Sequence, residues 1–466
     1  MLKKLQERYN DSKDVFFKEY KKKFTIIYQE GLGNINLFNR DYLPLMDNVK
    51  DLELSFPGVI IKAKKHNEDY YDELLFSGDI LIVYNNELYS FKINNTPDRG
   101  VSDSKAEPDN LLGARDGFIE NIKVNTALIR TRIKNNDLQI EEFYVGKRTK
   151  TIVKLFSMKG IANPSIKKKV AKYIKSLDVD LVLSTLDISQ KLCQKSIVSS
   201  VLYTGSPDLA SISLLNGQMI IMIDRIPVVL IAPSSLFFFT KERNDFEIPL
   251  FHTIFLRIFI LLGLFFSIFG LGIFHSFLTY QSGNLSEVLI NVLKKTEEGV
   301  LFGSFAEIIM TLSLFEFYQL ISTRSPGLTV QTIIIVLGGF LIGQNAIDAK
   351  IVGGFVLSFT ALCYLSGYIV SNNATILISI SLMRVFILFS SLIYGLYGVI
   401  LGSILLISYL YHQTSFGLCF THPFAPFVPT DIKKFFIARS STLFKERPQG
   451  LHTLDKKIKG ENNEKN

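Results

Sequence analysis

Cysteine is scarce in this chain of 466 residues, and its scarcity removes two kinds of architecture. The three cysteines, Cys193, Cys363 and Cys419, are odd in number and far apart in the sequence. A disulfide framework and a cysteine-ligated zinc site both need closely spaced or paired cysteines. We therefore expect neither, and we expect no metal or other cofactor.

Phosphate-binding glycine loops are also missing. The spacing Gly113 to Gly117 is not followed by the Lys-Ser/Thr pair of a P-loop, and Gly31-Leu-Gly33 lacks the third glycine of a dinucleotide fingerprint. The sequence thus offers no nucleotide site, which argues against a motor or an ATPase.

The first 23 residues carry charges throughout and contain no apolar core of the kind that a secretory signal has. We expect the first 245 residues to stay in the cytoplasm. The net charge is +8, but no basic helix is interleaved with stacking aromatic residues, so nucleic acid is not the expected partner. Anionic membrane lipid on the cytoplasmic side explains the positive charge more simply.

Long apolar runs fill the second half of the chain. Residues 251–278 contain one formal charge, Arg257, and exceed the roughly 20 residues that a bilayer core requires. Further apolar segments lie at about 303–321, 329–346, 351–371, 375–393 and 396–412. The basic residues after the last segment predict a cytoplasmic C-terminus, so the number of full spans is even, four or six.

The stretch from Gln331 to Lys350 breaks its apolar run with Gly343-Gln344-Asn345. Amides and charges are costly to bury in a bilayer, so such a break marks an ion or ligand pathway or a helix interface. Asp348 and Lys350 end the segment and favour a turn.

The first half of the chain has the pattern of a duplicated fold. Residues 75–91 predict two strands around an Asn85-Asn86 turn with Gly78 before the first strand, and residues 214–231 repeat this layout around Gly217. Strand-like segments that end in Gly31 and Gly160 precede the two hairpins. Asn163-Pro164 then predicts a helix at about 165–176. We interpret this as two related α/β subdomains; chance similarity between short βαβ pieces is the alternative.

Between the two copies lies Gly-Ala-Arg-Asp-Gly-Phe-Ile-Glu-Asn, followed by Asn125 and by Leu-Ile-Arg-Thr-Arg. This segment resembles the signature of the A subunits of bacterial spore germinant receptors, the GerA family, with Ala114 where the family has proline. The matching residues are Gly113, Arg115, Asp116, Gly117, Phe118, Glu120, Asn121, Asn125, Leu128, Ile129, Arg130 and Arg132. The resemblance continues through most of the chain to Arg447-Pro448.

The resemblance implies a spore inner-membrane protein that works with a transporter-like B subunit and a lipoprotein C subunit. It implies a homo-oligomer, with a pentamer as the expected form, that acts as a nutrient-gated channel for monovalent cations. The sequence departs from the family pattern at two places. The prolines expected after the first membrane helix are absent, and Thr204-Gly-Ser-Pro207-Asp208 stands where the family has Thr-x-Arg-Pro-Asp.

Several polar residues of the apolar half are candidates for a pore or a helix interface. They are Glu307, Glu316, Arg324, Gln331, Gln344, Asn345 and Arg384. Glu307 and Glu316 are nine residues apart, so on one helix they point to opposite faces. Arg324 or Arg384 is the natural partner of a buried carboxylate. Salt bridges that only fix helix packing are the equally weighted alternative.

The sequence therefore predicts an α+β and α-helical membrane protein. We place two related α/β subdomains at 1–148 and 149–245, a transmembrane helical domain with four to six membrane segments at 246–425, and a basic tail at 426–466. Two further functions remain open at this point: a membrane scaffold that signals without conducting, and a secondary transporter, which would show inverted repeats across 251–412.

Overall fold

The computed structural model divides the chain into two compact units. We call them the sheet unit (1–194, 200–250 and 414–466) and the helical unit (195–199 and 251–413). The structure describes residues 1–21, 23–48, 60–62, 68–85, 87–92, 116–193, 196–198, 201–239, 250–280, 300, 302–324, 343–371, 374–436 and 446–458.

Two five-stranded sheets form the sheet unit. Their orders are β1-β2-β4-β5-β3 and β6-β7-β9-β10-β8, and all neighbouring strands are antiparallel. The strands of the first sheet are β1 (Val15–Tyr20), β2 (Phe24–Gln29), β3 (Ile60–Lys62), β4 (Ile80–Tyr84) and β5 (Glu87–Phe91). Those of the second are β6 (Leu138–Val145), β7 (Thr151–Met158), β8 (Leu202–Thr204), β9 (Met219–Ile223) and β10 (Val229–Ala232). A two-stranded hairpin, β11 (Thr414–Ser415) with β12 (Leu418–Cys419), follows the helical unit.

The helices are α1 (Leu2–Arg8), α2 (Ile35–Leu37), α3 (Glu68–Phe76), α4 (Ile122–Arg132), α5 (Pro164–Lys175), α6 (Thr185–Cys193), α7 (Pro207–Leu215), α8 (Leu236–Phe239), α9 (Leu250–Phe265), α10 (Leu271–Thr279), α11 (Ser304–Arg324), α12 (Gly354–Val370), α13 (Ala374–His412) and α14 (Pro429–Phe436). Short π-helical turns cover Phe38–Tyr42 and Phe266–Gly270, and 3-10 turns cover Leu43–Asn48 and Gln449–Leu451.

The two sheets have the same topology, and both predicted hairpins are confirmed. Each copy begins with a helix, α1 or α4, and places a second helix, α3 or α7, before the hairpin of its fourth and fifth strands. Gly78 and Gly217 stand two residues before β4 and β9, with φ of 101° and 95°. Glycine suits both positions because residues with a Cβ adopt a positive φ only at a cost in free energy. By topology the second copy begins with α4, ahead of the division that the sequence suggests at 148/149.

The α5 helix forms where the sequence predicts it. Asn163 caps it by accepting a hydrogen bond from the Ser165 backbone N–H at 2.9 Å, and Pro164 occupies the first helical position. Ile166, Val170 and Ile174 recur every four residues and are buried in the core of the second sheet. Each of these side chains contributes about 1.5–3 kcal/mol by leaving water.

Among the described residues of the helical unit, two apolar helical stretches are long enough to cross a bilayer, Phe251–Thr279 and Thr375–His412. The first is α9 and α10 joined through the π turn. In α13 the helix is broken at Tyr394 (φ −132°, ψ 17°) and Gly395 (φ 57°, ψ −132°).

This break makes α13 a helical hairpin. A Cβ on Gly402 would lie 2.7 Å from Ser390 Oγ and 3.4 Å from Ile387 Cδ1. In one straight helix, residues 387 and 402 would be about 22 Å apart. The chain therefore reverses, and its two arms, 374–393 and 396–412, match the two apolar segments that the sequence predicts.

The end of the chain returns to the sheet unit. Residues 414–466 group with that unit, whereas the sequence suggests a boundary at 425. The backbone N–H groups of Leu454 and Asp455 donate to the carbonyls of Ile161 and Gly160, at 3.0 and 3.1 Å. Residues 454–455 of the tail are thus hydrogen-bonded to the loop between β7 and α5.

Candidate functional site

The described start of the signature, residues 116–121, is hydrogen-bonded to α4, the helix that follows it. Phe118 is fully buried, and Asn125 holds Ile119 through both a donated and an accepted backbone hydrogen bond, at 2.6 and 2.9 Å. Asn121 caps α4 by accepting from the Lys123 N–H at 3.0 Å. Glu120 exposes its side chain while its carbonyl accepts from the Arg225 N–H.

Arg130 joins α4 to the first sheet through an ion pair without solvent contact. Its Nε and Nη2 donate to the two carboxylate oxygens of Asp14 at 2.7 and 2.9 Å, and both side chains are 0% exposed. Further donors reach the carbonyls of Asn135 and Leu138, both at 3.0 Å. The guanidinium also lies 4.3 Å from the centre of the Phe76 ring.

The electrostatics of this pair favour the charged forms. Burial alone would raise the pKa of the Asp14 carboxyl, but the charge and hydrogen bonds of Arg130, together with a hydrogen bond from Gln29, outweigh it. The pKa of Asp14 therefore lies below its ordinary value. A matched buried pair of this kind is costly to break from one side.

Arg132 makes the second ionic link of the signature. Its Nη2 donates to Asp116 Oδ2 at 2.6 Å, and its Nε donates to Asp208 Oδ1 at 2.5 Å. Asp208 lies in the first turn of α7, where the helix dipole also stabilises its carboxylate. Ser206, which stands where the family has arginine, caps the same helix with its hydroxyl on the Leu209 N–H.

The described signature residues thus link elements of the sheet unit. Arg130 joins α4 to the residue before β1, and Arg132 joins α4 to α7. Gly113 and Arg115 lie outside the described residues. No cluster of three or more potential metal-ligating side chains occurs in the described part of the chain.

In the helical unit, Glu307 is bound to backbone. Its Oε2 accepts from the Gly353 N–H at 3.0 Å, and Gly353 is the N-cap of α12. Helix N-termini stabilise carboxylates, so Glu307 ties α11 to α12. Within the described residues it has no ion pair. Arg384 is therefore not the partner of Glu307, and the side chain of Arg324, the other expected partner, lies outside the described residues.

Arg384 is bound to the π turn of the first long helix. Its Nε donates to the Ser267 carbonyl and its Nη2 to Ser267 Oγ, both at 2.7 Å. A π turn displaces backbone carbonyls from the regular hydrogen-bond ladder, which leaves one for an outside donor. The guanidinium lies 5.1 Å from the centre of the Tyr364 ring.

Glu316 faces a different helix from Glu307. It accepts a hydrogen bond from the Ser381 hydroxyl of α13. Nearby, the Tyr364 hydroxyl donates to Gln319 Oε1 at 2.7 Å. The two glutamates of α11 therefore have separate partners, as their helical spacing predicts.

Gln344 and Asn345 lie on the surface of the helical unit. Both are exposed, in a helical stretch at 343–348 that ends in a turn at 349–350, with Lys350 at φ 54°. Asp348 and Lys350 are exposed as well. Gln331 lies outside the described residues.

The sequence reasoning missed the partners of the arginines and a buried carboxylate in the tail. Asp431 accepts from His422 Nε2 at 3.0 Å, from Lys434 Nζ at 3.3 Å, and from the Gln449 and Gly450 N–H groups at 3.1 Å. Burial opposes ionisation here, but these donors hold the pKa of Asp431 below its ordinary value. The available signal was only that Arg130 and Arg384 fall on apolar helix faces and so require acceptors.

Comparisons with known proteins show the family of this chain. The profile of the family described as Bacillus/Clostridium GerA spore germination protein matches residues 3–450. The chain belongs to the GerA family. It is 31% identical over 432 residues to spore germination protein XA of Bacillus anthracis. That match covers 91% of this chain and 87% of the relative.

Another GerA relative, spore germination protein GerLA of Bacillus cereus, is 30% identical over 395 residues, with 83% of this chain and 78% of that protein covered. Among solved structures, the chain is similar to the N-terminal domain of the A subunit of the Bacillus megaterium spore germinant receptor GerK3. The sequence identity is 25%, the TM-score is 0.37, and the match covers 50% of this chain and 92% of that chain.

Proposed function

We propose that the chain is the A subunit of a nutrient germinant receptor of bacterial spores, and that copies of it assemble into a cation channel gated by nutrient. Membership of the GerA family along residues 3–450 and the apolar helical unit support the proposal. A homo-oligomer, expected as a pentamer, would work with a transporter-like B subunit and a lipoprotein C subunit. We propose no covalent chemistry for it.

The proposal carries a membrane topology. The chain would lie in the spore inner membrane with both termini cytoplasmic, and with four or six full spans. The division into subdomains at 1–148 and 149–245, a membrane domain at 246–425 and a tail at 426–466 remains our expectation from the sequence.

The exposure of Gln344 and Asn345 is the observation that carries the channel proposal. A pore on the axis of a homo-oligomer runs between protomers, so its lining must lie on the protomer surface. Glu307 and Arg384 are 2% exposed and bound to backbone within one protomer. We therefore propose Gln344 and Asn345 as pore-facing, because exposed amides beside an apolar segment are poorly suited to lipid.

Ion flux through the purified chain in liposomes tests this. We expect Gln344→Ala and Asn345→Ala to change cation flux several-fold. Ser313→Ala is the matched control, because Ser313 is also exposed but its hydroxyl is bound to the Ile309 carbonyl at 2.7 Å. Flux that is unchanged in both amide variants would contradict their pore-facing role.

A scaffold that signals without conducting is the second candidate, and one observation favours it. Glu307 and Arg384 act as packing links between helices, through Gly353 and Ser267 respectively. If the reconstituted chain is folded and oligomeric but passes no cations under any condition that triggers the receptor, the scaffold is preferred.

A further inference from the structure

One face of α5 concentrates positive charge. Five of its twelve residues are lysines. The buried face carries Ile166, Val170 and Ile174, and the opposite face carries four exposed lysines within an arc of about 120°. These four are Lys168, Lys169, Lys172 and Lys175, which we call the lysine face.

Little of this charge is neutralised within the protein. Lys167, at the edge of the face, pairs with Glu141 at 2.8 Å. Lys175 lies 5.7 Å from the centre of the Phe143 ring. Within the described residues, Lys168, Lys169 and Lys172 have no ion pair.

Three of the five lysines oppose the dipole of the helix that carries them, whereas Lys172 and Lys175 lie in its last turn, which favours cations. Lys167, Lys168 and Lys169 lie in the N-terminal half of α5, close to the positive end of the helix dipole. Lysines three and four residues apart on one face also repel each other. The arrangement therefore costs folding free energy, which an external anion would recover.

A concave surface accompanies the charge. A cavity of about 470 Å³ is lined by Lys167, Lys168, Lys172 and Lys175, together with Glu141, Pro164 and Ala171. Four of its seven lining residues are therefore lysines. This is space for a phosphate-sized headgroup, and the single carboxylate is already paired with Lys167.

We propose that the lysine face docks on an anionic lipid surface, with its ammonium groups on headgroup phosphates. Lysine is a hydrated point charge suited to a diffuse phosphate layer, whereas a specific bidentate site favours arginine. Stacking aromatics, which nucleic-acid grooves use, are absent from the face. This inference rests on the proposed membrane location of the chain, which would keep a lipid surface within its reach.

The experiment uses the absence of tryptophan from the chain. Ser165 is exposed on the same side of α5 as Lys168 and Lys172, so Ser165→Trp adds a unique fluorophore there. The full chain is reconstituted in phosphatidylglycerol or phosphatidylcholine vesicles that contain a headgroup-nitroxide lipid. We expect quenching in phosphatidylglycerol at low salt and its loss in about 0.5 M salt, where the Debye length is only a few ångströms.

Two charge-reversal pairs in the Ser165→Trp chain provide the matched comparison. Lys168→Glu with Lys172→Glu should weaken docking roughly 25-fold and abolish quenching. Lys3→Glu with Lys4→Glu makes the same change in net charge on exposed residues of α1 and should leave quenching in place.

Four results would overturn the proposal. The first two are equal quenching in phosphatidylcholine vesicles and equal loss of quenching in both reversal pairs. The third is release of the quenching by about 10 mM glycerol phosphate, which would indicate a soluble phosphate ligand. The fourth is salt-sensitive protection of the lysines from acylation in detergent without lipid, which would indicate an acidic protein segment. Melting temperatures of all variants establish that the fold is intact.

Discussion

Arg130 is an arginine without solvent contact, and its guanidinium has acceptors on every side. The Asp14 carboxylate, two carbonyls and the face of Phe76 surround it. Removing the guanidinium would leave a buried, uncompensated carboxylate, whose cost exceeds that of losing a surface contact.

We expect Arg130→Met to lower the free energy of unfolding by about 3–5 kcal/mol. Lys123→Met is the control: Lys123 pairs with Glu30 at 2.7 Å, but its side chain is 60% exposed, so its loss should cost less than about 1 kcal/mol. Thermal and denaturant unfolding of the purified chain measure both. Equal losses in the two variants would show that the buried pair is not a structural link.

Asp431 gives a prediction about pH. Its pKa is depressed in the folded chain, so its contribution to stability is fully present above the unfolded value of about 4 and is lost as the pH falls through the folded pKa. At pH 6, Asp431→Asn should lower stability by about 1–3 kcal/mol, because four donors lose a charged acceptor.

The melting-temperature difference between the native chain and Asp431→Asn should therefore shrink as the pH is lowered below about 4. Asp455→Asn is the matched control, because Asp455 also forms an ion pair in the tail, with Arg447, but is 37% exposed. A difference that is constant from pH 6 to pH 3 would contradict the depressed pKa.

At the scale of elements, the hairpin in α13 depends on close helix approach. A Cβ on Gly398 would lie 1.9 Å from the Ser390 carbonyl oxygen, which is well inside van der Waals contact. The neighbouring atom is backbone and cannot move aside cheaply. Small residues permit such approach between membrane helices.

We expect Gly398→Ala to destabilise the helical unit by several kcal/mol or to prevent its assembly. Gly303→Ala is the matched control, because a Cβ there would meet no described atom within 4 Å. Thermal stability in detergent compares the two. If Gly398→Ala melts with the control, the two arms of α13 do not pack as an antiparallel pair.

The elements were predictable where local chemistry decides them. The hairpins, the cap of α5 and the two apolar arms depend on glycine, asparagine, proline and hydrophobicity at short range. The equivalence of α1 and α4 was not predictable, because the two helices differ in length, seven and eleven residues, and in side-chain pattern. Glu307 binds the Gly353 N–H, and Arg384 binds the carbonyl and hydroxyl of Ser267, all of which are distant in sequence. Hydrophobic periodicity contains no information about such contacts.

At the scale of the whole molecule, the chain passes repeatedly between the two units. The crossings lie at 194–195, 199–200, 250–251 and 413–414. The first long helix and the last arm of α13 are therefore both covalently continuous with the sheet unit.

Cysteine accessibility tests the central claim, that Asn345 faces a conducting pore. Asn345→Cys is reconstituted in liposomes and treated with a cationic methanethiosulfonate, with Leu365→Cys as the control, because Leu365 is apolar and 59% exposed. The native chain provides the background, since its Cys363 is buried. We expect modification to block cation flux through Asn345→Cys and to leave Leu365→Cys unchanged. Unaltered flux through Asn345→Cys after complete modification, confirmed by mass, would contradict the account.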